Sequence, residues 1–188
     1  MTTPSLPADA GDILLPLARL SIARALGQSL PPAADNPAPW LQMRAASFVT
    51  LHHAAQLRGR TGSLEPQRPL RDDISENAVR AALHDPCFSP LTAAELDGAT
   101  IEIAVLSDLE PVAAANERAA LAQLRAGIDG AVFRYGHHRS NFLPEMWTQY
   151  SDPAEFLAYL KYKSGLPPDF WDADIELRRY TVSHWREA

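Results

Sequence analysis

An α+β fold is predicted for this chain: a mainly antiparallel sheet with packed helices, forming one compact domain, residues 1–188, that divides at most into two lobes. Three observations predict it. Period-two apolar alternation recurs near residues 47–53, 100–107 and 130–143. Helical spacing bracketed by capping residues lies near 12–26, 69–83 and 152–165. Some links are of hairpin length and no regular strand–helix alternation runs through the chain, which argues against a doubly wound parallel sheet.

The elements follow in order. Residues 1–11 read as a loose arm. Asp12 is placed to cap a helix reaching about Leu26, in which Pro16 is tolerable only in the first turn. Ser29 to Pro39 is a proline-rich connection. Ser47 to His53 opens the central stretch as a strand, with Val49 and Leu51 on one face and Phe48, Thr50 and His52 on the other. Pro69 to Leu83 is a helix whose acidic start, Asp72, Asp73 and Glu76, is accounted for by solvation and the helix dipole. Thr92 and Glu95 form a capping box closed by Gly98. Thr100 to Ser107 is a strand, Asn116 to Ala126 a helix, and Gly130 to Leu143 a hairpin turning at Gly136–Arg139. Asp152-Pro153 starts a helix ending at Gly165, and the last strand runs from about Ile175 to Val182.

Composition bounds the function. The chain has 188 residues, 46% hydrophobic and 21% charged, which is ordinary for a globular protein with a sizeable core. A net charge of −6 disfavours broad electrostatic binding to nucleic acid. The single cysteine, Cys87, forms no internal disulfide and suits a reducing compartment. No apolar run approaches a membrane span, and the acidic N-terminus does not resemble a secretory signal, so a soluble cytoplasmic protein is expected.

The leading candidate surface is the stretch Leu57-Arg58-Gly59-Arg60-Thr61-Gly62, read as a loop. Two glycines allow positive φ or close approach, and two guanidiniums suit bidentate contact with phosphate or carboxylate. Arg58, Gly59, Arg60 and Gly62 are therefore the predicted ligand-binding residues. The alternative is a structural loop whose arginines pair with nearby carboxylates. Cys87 is a candidate reactive thiol, beside the commoner use of cysteine as a small apolar filler. His52 joins it as a candidate catalytic group. His52-His53 and His137-His138 invite a metal reading. Adjacent strand residues point apart, however, and no ligand spacing completes a site, so neither metal nor cofactor is expected.

The chain also resembles the AMMECR family, named after the AMME syndrome chromosomal region. The blocks that carry the resemblance are SFVTL, LRG-x-x-GSLEP, Asn77-Ala78, Asp85-Pro86-x-Phe88, IEIAVLS, LRAGIDG, NFLPEMW, DPAEFL, SGLP and RRYTV, over about residues 47–182. The resemblance implies a compact α+β domain of unestablished activity. It also implies association with Memo-like and radical-SAM proteins in the microbial AmmeMemoRadiSam system. The family's L-R-G-C-I-G reads L-R-G-R-T-G here, and its D-P-R-F reads Asp85-Pro86-Cys87-Phe88. Either the two positions drifted independently, or Arg60 and Cys87 exchanged places on one pocket wall. A guanidinium is no nucleophile, so thiol chemistry at position 60 is excluded.

Three functional expectations result. The first is an accessory or substrate-recognition component in which the 58–62 stretch binds a small anionic group or a partner. The second is an enzyme with an Arg/Cys-lined pocket acting on a small anion. The third, nucleic-acid contact through Arg58, Arg60, Arg68 and Arg71, is disfavoured by net charge.

Overall fold

The structure is a computed structural model, and it describes residues 6–28 and 38–188. The chain falls into two compact units, one running to Leu106 and completed by Ser183–Ala188, the other formed by Ser107–Val182. The α+β prediction holds in both: each is an antiparallel arrangement with helices packed on it.

The first unit contains α1 (Gly11–Ala25), β1 (Ser47–His53), β2 (Gln56–Gly62), α2 (Leu70–Leu83), α3 (Ala93–Asp97), β3 (Ala99–Leu106) and β8 (Val182–Arg186). Its sheet has the order β2-β1-β3-β8, with β1 antiparallel to both neighbours. The core follows from two periodicities. Leu14, Ala18 and Ile22 line one stripe of α1 and Ile74, Ala78 and Ala81 one stripe of α2. Val49 and Leu51 on β1, with Ile101 and Ile103 on β3, are the alternate residues facing those helices. Each such Leu, Ile or Val contributes about 1.5–3 kcal/mol on burial.

The second unit contains β4 (Glu110–Pro111), α4 (Glu117–Leu121), β5 (Gly130–Tyr135), β6 (His138–Phe142), α5 (Pro153–Lys163) and β7 (Glu176–Tyr180), with the antiparallel sheet order β4-β7-β5-β6. Its own core gathers Ala131, Phe133, Phe142, Phe156, Leu157, Leu160 and Leu177. Trp147 stacks on Phe156 at 3.9 Å, and its Nε1 donates to the Asp129 carbonyl.

Several expectations are corrected. Of the arm expected over residues 1–11, residues 1–5 lie outside the described residues and 6–11 are not loose: Ala8–Ala10 form a 3-10 turn, Ala10 is buried, and the Trp185 indole lies against Gly11 and donates to the Ala8 carbonyl. Helix α1 therefore starts before Asp12, which is a first-turn charge rather than the cap, and Pro16 lies beyond the first turn. Of the proline-rich connection, Ser29 to Pro39, residues 29–37 lie outside the described residues, and Pro39 opens a 3-10 turn, Pro39–Gln42. The 57–62 stretch is not a loop but strand β2. Helix α4 ends at Leu121, short of Ala126, with Asn116 as its cap. The strand expected at about Ile175–Val182 forms as β7, and a further strand that was not expected, β8, follows it in the first unit's sheet. The capping box at Thr92–Glu95 forms as read; of the second capping box expected, Asp152 to Glu155, the structure shows the Asp152 half, which accepts from the Ala154 and Glu155 amides.

Candidate functional site: the outer edge of the first hairpin

β1 and β2 are joined by a two-residue turn, Ala54–Ala55, with φ of 50° and 63°. Both are the left-handed values of a type I′ hairpin turn, normally occupied by Asn-Gly. The pairing then slips: Leu57 is opposite His52 and Gly59 opposite Leu51, leaving Arg58 as an extra, bulged residue. A bulge re-aims its side chain. Arg58 consequently turns to the segment beyond α2, where Nε reaches Glu95 Oε1 at 3.2 Å, Nη1 the Ser89 carbonyl at 2.8 Å and Nη2 the Pro90 carbonyl at 3.4 Å.

Glu95 is held in turn by the capping box. The backbone bond from Thr92, then the bond from Arg58, then the Thr92 hydroxyl, lower its pKa to about 2. Arg58 thus acts as a clamp inside the unit. The two glycines have packing reasons as well. A Cβ at Gly59 would lie 2.1 Å from the Ala81 carbonyl of α2, and one at Gly62 would lie 2.2 Å from the Phe48 ring.

Arg60 is placed differently. It stands opposite Thr50, with its guanidinium carbon 5.7 Å from the centre of the Phe48 ring. Its amide points off the sheet edge and donates to Asp85 Oδ2 at 2.7 Å. The other oxygen of that carboxylate accepts the Cys87 amide at 2.8 Å. One aspartate therefore fixes Arg60 and Cys87 as neighbours across the outer edge of β2. Cys87 is exposed and is not an apolar filler. Asp85 and Arg58 together hold the 85–90 segment to β2, and the Asp85 carboxylate satisfies an outward amide of this edge strand.

His52 shares the sheet face of Thr50, and hence of Arg60, one alternation further along β1. Its Nδ1 is buried without a hydrogen-bond partner among the described residues. The other histidine pair behaves unlike a strand pair. His137 lies in the β5–β6 turn, so its ring meets that of His138 at 4.2 Å, while His138 Nδ1 is bonded to the Ser164 carbonyl.

Sequence reasoning missed Asp73. It is no solvated first-turn charge: it is buried, and its Oδ2 accepts from the Ser47 amide (2.9 Å), the Ser47 hydroxyl (2.7 Å), the Ser63 hydroxyl (2.8 Å) and Asn77 Nδ2 (3.0 Å). Asn77 also donates to the Ser47 carbonyl. This satisfied network ties the start of β1 and the residue after β2 to α2. The available signal was Asp73 and Asn77 at i and i+4, flanking the apolar Ile74 and Ala78 on the buried stripe.

The chain is similar to an archaeal protein from Methanothermobacter thermautotrophicus, 35% identical over 97% of this chain and 96% of that protein. It is likewise similar to Protein MJ0810 of Methanocaldococcus jannaschii, 35% identical over 75% of this chain and 72% of that one. The crystal structure of the uncharacterized protein PH0010 from Pyrococcus horikoshii superposes with a TM-score of 0.83 at 30% identity, covering 97% of this chain and 93% of that one. No helix among the described residues is long and apolar enough to cross a membrane. The family described as AMMECR1 matches residues 15–185, and the chain belongs to that family.

Proposed function

We propose that this chain is an accessory, recognition component acting with Memo-like and radical-SAM proteins in the cytoplasm. Its recognition edge is formed by Arg60, Asp85 and Cys87. The pathway half of this reading rests on the family resemblance. The surface half rests on one observation: the Asp85 carboxylate holds the amides of both Arg60 and Cys87. An arginine and an exposed cysteine whose backbones share one aspartate at a strand edge offer charge and shape to an anionic group, carried by a small molecule or by a partner surface. Of the four ligand-binding positions expected from the sequence, Arg60 keeps that role, and Arg58, Gly59 and Gly62 build its support.

Co-elution of the purified chain with each candidate partner tests the reading. Wild-type protein and Arg118→Glu, an exposed variant in the second unit, are expected to associate, and Arg60→Ala and Cys87→Asp to lose association while retaining wild-type circular dichroism. Association that survives both edge variants overturns the surface. No association of the wild type with either partner overturns the pathway.

A further inference from the structure

The first unit's sheet is completed by a strand that returns from the far part of the chain, and this strand is held as a bound peptide is held. Strand β8 lies beside β3 at the end of the order β2-β1-β3-β8, so β3 would be the edge without it. Side chains anchor the returning segment beyond its backbone pairing. The Glu187 carboxylate accepts from Arg19 Nε at 2.9 Å, from Arg19 Nη2 at 2.6 Å and from the Ile101 amide at 2.8 Å. The Glu187 amide donates to the Ile101 carbonyl at 3.0 Å. Two residues earlier, Trp185 Nε1 donates to the Ala8 carbonyl at 3.2 Å, and its indole fills the space that Gly11 leaves by having no Cβ.

The slot is built from parts that do not include its occupant. Arg19 of α1 is also fixed by the Leu96 and Ala99 carbonyls, at 2.9 and 2.6 Å, so its guanidinium is aimed before a carboxylate arrives. Every anchor joins residues remote in sequence: 168 apart for Arg19 and Glu187, 86 for Ile101 and Glu187, and 177 for Ala8 and Trp185. The same bonds therefore form whichever copy of the chain supplies the strand. Thr181 alone separates β7 from β8, and a short hinge of that kind is where strand exchange between copies starts.

We propose that the slot between Arg19 and Ala8 accepts the β8 segment of a second copy in place of its own, giving a two-fold, strand-exchanged dimer. Each copy gives one strand and receives one, and all the anchors are kept; only the hinge changes. The chain's own strand is favoured by its high effective concentration. Exchange is accordingly a property of concentrated protein, or of protein whose own clasp is broken.

Charge reversal separates exchange from any other association. Arg19→Glu and Glu187→Arg each set like charges against one another within one copy. When the two variants are mixed, both slots regain an opposite-charge pair only if the strands are exchanged. An equimolar mixture, incubated at a concentration where each variant alone elutes as a monomer, is expected to give a dimer by light-scattering chromatography. The double variant Arg19→Glu/Glu187→Arg, paired within one copy, is expected to remain a monomer. A mixture that stays monomeric overturns the proposal. So does a dimer formed equally by either variant alone, since its contact would not run through the exchanged strands. If a reversed variant does not fold, a fluorescent peptide of residues 182–188 decides. The Glu187→Ala chain, whose own strand lacks the clasp, is expected to take up the peptide saturably, and the Arg19→Ala chain at least tenfold more weakly. No uptake by Glu187→Ala, or equal uptake by both, overturns the proposal.

Discussion

At the residue scale, two arginines separated by one glycine have different fates because one sits in a bulge. Arg58→Ala removes charge-assisted hydrogen bonds to two carbonyls and to Glu95, and is expected to cost about 1–3 kcal/mol in denaturant unfolding. Glu95 gives this clamp a pH signature. Its carboxyl is held at about 2 when folded, against an ordinary value of 4.5. The stability it contributes is therefore complete above about pH 4.5 and is lost as pH falls toward 2. Glu95→Gln is expected to flatten that acid segment of the stability profile and to leave its shape at neutral pH unchanged. Asp73→Ala would strand the Ser47 and Asn77 donors in the interior, with an expected loss of about 2–4 kcal/mol by thermal or chemical unfolding. Neither role was fully legible in the sequence. Asp73 has an adequate local explanation beside Asp72 at a helix start, and its burial comes from Ser47 and Ser63, which lie far away along the chain. Arg58 and Arg60 look equivalent until the slip in register separates them.

At the element scale, the legible parts are those with local chemistry. The Thr92–Glu95 box, the Asp152 cap, the period-two alternation of β3 and the stripes of α1 and α2 were all readable, and all formed. Strand β2 was not, because Gln56–Gly62 has no apolar alternation and two glycines that imitate a loop. Those glycines answer to Ala81 on α2 and Phe48 on β1, contacts that only the assembled unit defines. Gly59→Ala is accordingly expected to destabilise by about 1–3 kcal/mol through overpacking against a helix carbonyl. The turn of the same hairpin offers the opposite change. Ala54 and Ala55 hold left-handed φ that costs an L-residue with a Cβ about 1–2 kcal/mol. Replacing the pair by Asn-Gly is expected to raise the melting temperature by several degrees. An unchanged or lowered value would contradict the assigned turn.

At the scale of the whole molecule, the α+β class followed from mixed periodicities and hairpin-length links. The division into two units depends on which distant segments pair, and no local pattern encodes that. The chain leaves the first unit at Leu106 and returns to it at Ser183. The returning segment fastens to the sheet and to α1, through the Glu187 amide to the Ile101 carbonyl at 3.0 Å and the Glu187 carboxylate to Arg19 at 2.6 Å. Deleting 183–188 is thus expected to destabilise the first unit strongly. Because β2 is an edge strand tied to residues 85–90, the candidate surface is part of that unit's framework, with Arg58 building it and Arg60 presenting it. The most direct measurement is a denaturant titration of Arg58→Ala and Arg60→Ala side by side. The account predicts a loss of about 1–3 kcal/mol for Arg58→Ala and under about 1 kcal/mol for Arg60→Ala. A stable Arg58→Ala beside a strongly destabilised Arg60→Ala would reverse the roles and contradict it.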